Sequence, residues 1–316
     1  AGYTGAQVVP IHWAGDQLSE WSEFRAQLVA GLSAGLSGIP FWSFDIGGFA
    51  GDFPSQELYL RSVAMGAFCP VMQWHSEPRD GQFYHTARER WNNDRSPWNL
   101  ATLYQDEGII HIYRKFANLR MNLLPYIYQE AKYCAKSARP LMAHLIVDYA
   151  HDAKVWFVHD QYMFGRELLV APITEEGALS REIYLPAGTW HDLFLGGTIE
   201  GGQTIEYACP IDRIPVFVRD GAAIAVNLGS SRQIGSQDRS AGVGNDLTRY
   251  EQLAFFCFGE GSCEFSDDLG LELSIQNGQV RGKGIPEVLL VDCAGLSGHD
   301  VQLFERFVSA KTVEVE

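Results

Sequence analysis

Two carboxylates stand out by their settings. Asp16 closes Trp-Ala-Gly-Asp just after the apolar run Val8 to Trp13, and Asp45 opens Asp-Ile-Gly-Gly-Phe just after the run Ile39 to Phe44. Acids that follow successive strands of a parallel sheet or barrel converge, because every strand delivers its C-terminal end to one face. Trp13, Trp42, Phe44 and Phe49 frame the pair. Aromatic faces stack on the apolar side of a pyranose, and carboxylates bind hydroxyls or move protons, so this set of residues suits a sugar site.

Such a site needs a strand, a crossover helix and a second strand. Between the two runs, Trp21, Phe24, Leu28, Leu32 and Leu36 recur at helical spacing, with Ser19 as the expected N-cap and Gly38 as the stop. Gly31, Gly35 and Gly38 fall at the end of this helix and before a strand, the wrong order for a dinucleotide fingerprint. A second helix is expected over Ser55 to Gly66, with Glu57 and Arg61 as an i,i+4 pair. A third strand is expected over Phe68 to Trp74, ending at His75. The stretch Ser76 to Pro97 is long, charged and carries Trp91, so it reads as a binding loop or lid. Glu107 to Ser137 is helical in pattern, and Pro125 inside it predicts a kink or two helices.

After Arg139-Pro140 the pattern turns to short β runs broken by Gly, Pro and Asp: Leu141 to Val147, Glu167 to Ala171, Ser180 to Leu185, Thr204 to Tyr207, Val216 to Val218 and Ala222 to Val226. They predict an antiparallel sandwich. Gly229 to Gly244, rich in Gly, Ser and Gln, reads as a linker before a last β module. The expected division is residues 1–138, 139–228 and 229–316.

A net charge of −15 without a basic stripe argues against a nucleic-acid partner. No apolar run has the roughly 18 residues of a membrane span. The six cysteines are scattered and read as free thiols, and His111, His144, His151 and His159 lack metal-ligand spacing. Ala1-Gly2-Tyr3 runs almost at once into a core strand, so the chain reads as starting inside a domain. Localisation is then unassigned, with the cytoplasm favoured.

Each site residue also has a plainer reading. Asp16 could cap the following helix, Asp45 could serve the turn at Gly47-Gly48, and His75 could be a satisfied core histidine. Trp42, Phe44 and Trp74 could fill a barrel, and Asp52, Asp80 and Asp94 read as solvated loop charges.

From Gly2 to about Val226 the chain resembles glycoside hydrolase family 31, the retaining α-glycosidases. The resemblance is carried by Gly5-Ala6-Gln7 with Trp13 to Asp16, by Ser37 to Phe49, and by Glu57-Leu58-Tyr59 with Arg61. Phe68 to Met72 with His75, Ser96-Pro97-Trp98, Leu119 to Tyr128, Leu168 to Pro172, Tyr184 to Trp190 and Ile214 to Arg219 extend it. It implies the C-terminal part of a (β/α)8 TIM barrel followed by proximal and distal β-sandwiches, with no cofactor. It also implies Asp16 as general acid/base after strand six, Asp45 and Phe49 after strand seven and His75 after strand eight as sugar-binding residues, and Trp13 as an aromatic wall.

Three departures accompany it. The family's nucleophile, an Asp in a Trp-x-Asp-x-x-Glu segment after strand four, is not in this sequence. The family's substrate-binding Arg would lie before Ala1. Gln73 stands where the family commonly has Arg two residues before the His, with Ser76-Glu77-Pro78-Arg79 as the candidate to compensate. The expected partners are an oligosaccharide or α-glycoside substrate and the N-terminal part of the same protein, with an oligomer left open. The alternative is a catalytically incomplete fragment with a carbohydrate-binding or structural role.

Overall fold

The computed structural model describes residues 5, 8–9, 11–77, 94–228, 234–235, 250, 252–268, 270–293 and 311–315. Most of the expected lid, including Trp91, Pro78 and Arg79, and most of the Gly229–Gly244 linker lie outside the described residues.

The first unit is the C-terminal part of a TIM barrel. β1 (Ile11–Trp13) and β2 (Phe41–Ser43) pair in parallel, Ile11 opposite Phe41 and Trp13 opposite Ser43. A parallel pair needs a crossover, and α1 (Trp21–Leu36) supplies it, burying Phe24, Leu28 and Leu32. The chain turns at Gly38, whose φ of 89° suits glycine. Ser19 is not the cap of α1: Glu20 takes that position without a side-chain bond, because the Ser19 hydroxyl is engaged elsewhere. α2 (Gln56–Gly66) starts as expected, with the Ser55 hydroxyl accepting from Leu58 N.

The third strand is reduced to one parallel bridge, Asp45 to Gln73. The reason lies in Phe68 to Pro70. The carbonyls of Ala67, Cys69 and Pro70 all accept from the Arg120 guanidinium, and proline has no N–H for a ladder. Pro125 divides the long helical segment as its chemistry requires. α4 (Gly108–Asn122) follows the short α3 (Pro97–Tyr104), and α5 (Leu124–Ser137) begins with the proline in its first turn, where no N–H is needed.

The second unit is a six-stranded antiparallel sheet in the order β3-β4-β5-β10-β7-β8: Met142–His144, Tyr162–Phe164, Leu168–Val170, Val216–Arg219, Thr189–Asp192 and Thr198–Glu200. The stretch Leu141 to Val147 is thus strand only in part, since α6 (Ile146–Tyr149) takes its end. A two-stranded sheet, β6 (Ser180–Leu185) with β9 (Gln203–Ala208), contributes Ile183, Leu185 and Tyr207 to a core shared with Leu169, Trp190 and Phe217.

The run Ala222 to Val226 does not join that sheet. As β11 (Ala223–Leu228) it pairs with β12 (Gln252–Cys257), because both edges of β10 are taken by β5 and β7 and the chain leaves through Gly221 at φ 81°. In the last β module β12 and β16 (Glu287–Asp292) run parallel. β17 (Lys311–Glu314) completes that four-stranded sheet. β13 (Cys263–Ser266), β14 (Glu272–Gln276) and β15 (Gln279–Lys283) form a third sheet.

Arg61 links the first two units. Fully buried on α2, its guanidinium donates to the carbonyls of Pro210 at 2.9 Å and of Ala178 and Cys209 at 3.0 Å. Its expected partner Glu57 lies 4.0 Å away, at the outer limit of an ion pair. All six cysteines are free, four of them buried. Among the described residues no helix is long and apolar enough to cross a membrane.

Candidate active site

The loops after β1 and β2 are knitted together by their backbones. Phe49 N and Ala50 N both donate to the Gln17 carbonyl, at 2.8 and 3.1 Å, and Ser19 N donates to Ala50 O. Gly47 and Gly48 make this possible, with φ of 81° and 90°. A side chain at Gly48 would sit 2.5 to 2.8 Å from Ser19, and one at Gly47 would sit 2.7 Å from the Tyr59 ring. The loop after Gln73 joins the same assembly through Glu77, whose N–H donates to Phe49 O and whose carboxylate accepts from Gly51 N.

This backbone brings four of the five singled-out residues together. Asp45 is 0% exposed, and the Trp13 indole N–H donates to its Oδ2 at 2.8 Å. Gln73 Nε2 donates to Oδ1 at 2.9 Å. Gln73 therefore does part of what an Arg there would do, as a hydrogen-bond donor without a charge. The Trp13, Phe49 and His75 rings form a triangle with centroids 5.9, 6.5 and 5.3 Å apart. Trp13 is 40% exposed and Phe49 is buried, so the indole forms the wall that solvent sees.

Asp16, the fifth, is exposed on the same rim, three residues beyond Trp13. Gly15 at φ 98° turns the chain there, and Gln17 returns to donate its Nε2 to the Asp45 carbonyl. Asp16 does not accept from the N-terminal amides of α1, whose first turn starts at Trp21. Among the described residues β1 pairs with β2 alone, and Val8, Val9, Ile11 and Trp13 are exposed with Asp16.

Burial pushes the Asp45 carboxyl up to about 6. The hydrogen bonds from Trp13 and Gln73 and the nearby His75 oppose that shift, while the Asp16 charge adds to it. Each Asp45 oxygen retains a lone pair beyond the one bond it accepts, which is the capacity needed to hold a sugar hydroxyl. Among the described residues no group of three His, Cys, Asp or Glu side chains could hold a metal ion. His144 is accounted for structurally: its Nδ1 accepts from Ile146 N and its ring packs on His159.

Arg95 escaped the sequence reading. It is 2% exposed, and its guanidinium donates to Ser19 Oγ and to the carbonyls of Phe49, Gly51 and Asp52. Its one sequence signal is position. Arg95 immediately precedes Ser96-Pro97, a cap and first-turn proline that fix the start of α3.

Comparison with known proteins adds to this geometry. Residues 1–130 match the glycosyl hydrolases family 31 TIM-barrel domain, and residues 138–224 match the glycosyl hydrolase family 31 C-terminal domain. An isomaltosyltransferase of Sporosarcina globispora is 41% identical over 85% of this chain and 24% of that protein. The cycloalternan-forming enzyme of Listeria monocytogenes, solved in complex with a pentasaccharide substrate, is 39% identical with a TM-score of 0.79, over 89% of this chain and 26% of that one. The cycloalternan-degrading enzyme of Trueperella pyogenes, solved in complex with a covalent intermediate, is 39% identical with a TM-score of 0.65, over 70% of this chain and 30% of that one. The chain spans about a quarter of the length of these relatives.

Proposed function

We propose that this chain, which belongs to glycoside hydrolase family 31, carries the proton-transferring and sugar-holding part of a retaining α-glycosidase. The substrate is an oligosaccharide or other α-glycoside ending in an α-linked glucose or xylose, and the relative solved with a pentasaccharide substrate supports the oligosaccharide. Asp16 is the general acid/base, Asp45 with His75 and Phe49 holds the sugar, and Trp13 is its wall. The observation that carries this reading is the Trp13 to Asp45 hydrogen bond, which joins the strand-end bearing Asp16 to the strand-end bearing the buried carboxylate.

Retention takes two displacements. A carboxylate attacks the anomeric carbon while the acid gives its proton to the departing glycosidic oxygen. The same residue then takes a proton from the incoming water or sugar hydroxyl as the glycosyl–enzyme bond breaks. Asp45 is a poor candidate for the attacking group, since both its oxygens are already engaged by the Trp13 and Gln73 donors. The nucleophile is assigned to the upstream part of the same protein, whose presence would also cover β1 and withdraw Asp16 from water. The tripartite division into barrel, proximal and distal units enters the proposal with β11 moved to the distal unit.

The exposure of Asp16 together with Val8, Val9 and Ile11 favours a second reading for the chain by itself, as a carbohydrate-binding or structural part without turnover. One assay separates them: hydrolysis of an aryl α-glucoside by the chain alone and by the chain mixed with the upstream half. Turnover is expected only in the mixture, and turnover by the chain alone would refute the assignment of the nucleophile. In the complete enzyme, Asp16→Asn is expected to lower kcat/KM by about 10²- to 10⁴-fold on poor leaving groups and far less on activated ones. Equal losses on both would remove Asp16 from the acid/base role.

A further inference from the structure

We propose that Arg95 is a positioning residue of the glycosidase site, the clamp that fixes the loop of Asp16 against the loops of Asp45, Phe49 and His75. The inference rests on the reading of the site as a glycosidase site and extends it to a residue outside the sugar-binding set.

The geometry is that of a hub. Nε donates to Ser19 Oγ at 2.8 Å, three residues past Asp16. One terminal nitrogen donates to Phe49 O at 2.9 Å, and the other to Gly51 O at 2.8 Å and Asp52 O at 3.1 Å, all in the loop after Asp45. The backbone N–H of Arg95 donates to Ser76 Oγ at 3.3 Å, next to His75. A single side chain and its own amide thus reach the three loops that carry Asp16, Asp45, Phe49 and His75. The Phe53 ring lies 5.7 Å from the guanidinium carbon and helps fix its plane.

The chemistry requires arginine. All three guanidinium nitrogens are used, in fixed directions, towards a hydroxyl and three carbonyls. A lysine ammonium would reach only part of this set from a single nitrogen. A buried cation is also costly, and burial lowers the pKa of Arg95, against which Glu77, Asp94, Asp45 and Asp52 act through their charges. Backbone bonds at Gln17, Ser19 and Glu77 also join these loops, but regular sheet pairing holds little of them. β1 and β2 are three residues each, the third strand is one bridge, and Ser19, Gly51 and Asp52 lie outside the apolar core. A hub with five neutral acceptors across three loops sets their spacing, and a shift of about 1 Å in such spacing can cost on the order of 10²-fold in rate.

The test uses the complete protein as wild type, Arg95→Ala and Arg95→Lys, with Arg61→Lys as a destabilised control away from the site. Active sites are counted with a fluorinated glycosyl fluoride that traps the glycosyl–enzyme, so that unfolded protein does not enter kcat/KM. Arg95→Ala is expected to lose about 10- to 100-fold in kcat/KM per active site. The loss is expected to be the same on activated and unactivated leaving groups, unlike that of Asp16→Asn. Free guanidinium should restore part of it, and Arg95→Lys should fall between. An Arg95→Ala enzyme within twofold of wild type per active site, with only a lowered melting midpoint like that of Arg61→Lys, would overturn the proposal. Amide exchange gives the readout that does not depend on activity: the amides of residues 17–19, 49–52 and 76–77 should accelerate together in Arg95→Ala. Unchanged exchange there would overturn the clamp, whereas a wild type without turnover on any α-glycoside would overturn the glycosidase reading and leave the exchange result to decide the clamp.

Discussion

The site rim and the six-stranded sheet of the second unit solve the same problem by opposite means. In the sheet, β3, β4 and β5 are buried at every residue, and Phe217 packs edge-on against Tyr207 with centroids 5.4 Å apart. In the rim, β1 is exposed at both ends, and its order comes from Gly47-Gly48, the Glu77 contacts and the Arg95 guanidinium. Apolar packing is non-directional and tolerates no open face, whereas a site must keep one face open to substrate. Directional hydrogen bonds from buried polar groups let the rim hold a geometry without closing over it. The two regions should therefore respond differently to substitution, the sheet in global stability and the rim in local order and function.

The largest effect is expected in the sheet. Phe217→Ala removes a fully buried ring and should cost about 3 to 5 kcal/mol, read as a lowered denaturation midpoint of the unit that contains β10. Saccharide affinity per folded molecule should be unchanged, and a cost below about 1 kcal/mol would break the comparison. The next is Gly48→Ala in the rim. Its left-handed backbone and the approach to Ser19 predict about 1 to 3 kcal/mol of strain. Amide exchange should rise over residues 16–52 and stay unchanged in β3, β4, β5 and β10. Acceleration in both regions would show that the rim is not an independent unit.

The sequence made some of this legible and hid the rest for identifiable reasons. Parallel strands around a crossover helix, and the division at Pro125, follow from periodicity and from one missing N–H, both local properties. The convergence of Trp13, Asp45, Phe49 and His75 follows from strand polarity, which places strand-ends on one face whatever the side chains do. Ser19 has the local pattern of a cap, but its competing partner, Arg95, lies 76 residues away. Arg95 itself sits beside Asp94 in a charged stretch, and nothing local distinguishes a buried hub from a solvated cation. The third strand and β11 were misplaced for a related reason: Arg120 takes the carbonyls of one, and occupied edges on β10 exclude the other, and neither competitor adjoins the run in sequence. The exposure of Asp16 was equally unreadable, because burial depends on what covers a face rather than on the residues that form it.

The smallest effect is the one that would sharpen the comparison most. Burial pushes the Asp45 carboxyl from its ordinary value of 3.8 up to about 6 in the folded chain. Between those values the native state holds a proton that the unfolded chain has lost, so this group favours folding below about pH 4, and the advantage is lost as pH rises through 6. In the proposed site binding runs the other way: an ionised carboxylate would accept from sugar hydroxyls, so affinity is expected to fall as pH drops through about 6. Gln73→Arg places a cation where a neutral amide now donates to Oδ1, which favours the ionised form. The acidic limb of saccharide binding, measured by titration calorimetry across pH 4 to 8, should move down by about one unit, and the fall in stability over the same range should shrink. The denaturation midpoint of the sheet unit should not move. An unshifted limb would mean that Asp45 is insulated from its hydrogen-bonding neighbours, and that the polar network of the rim sets geometry alone.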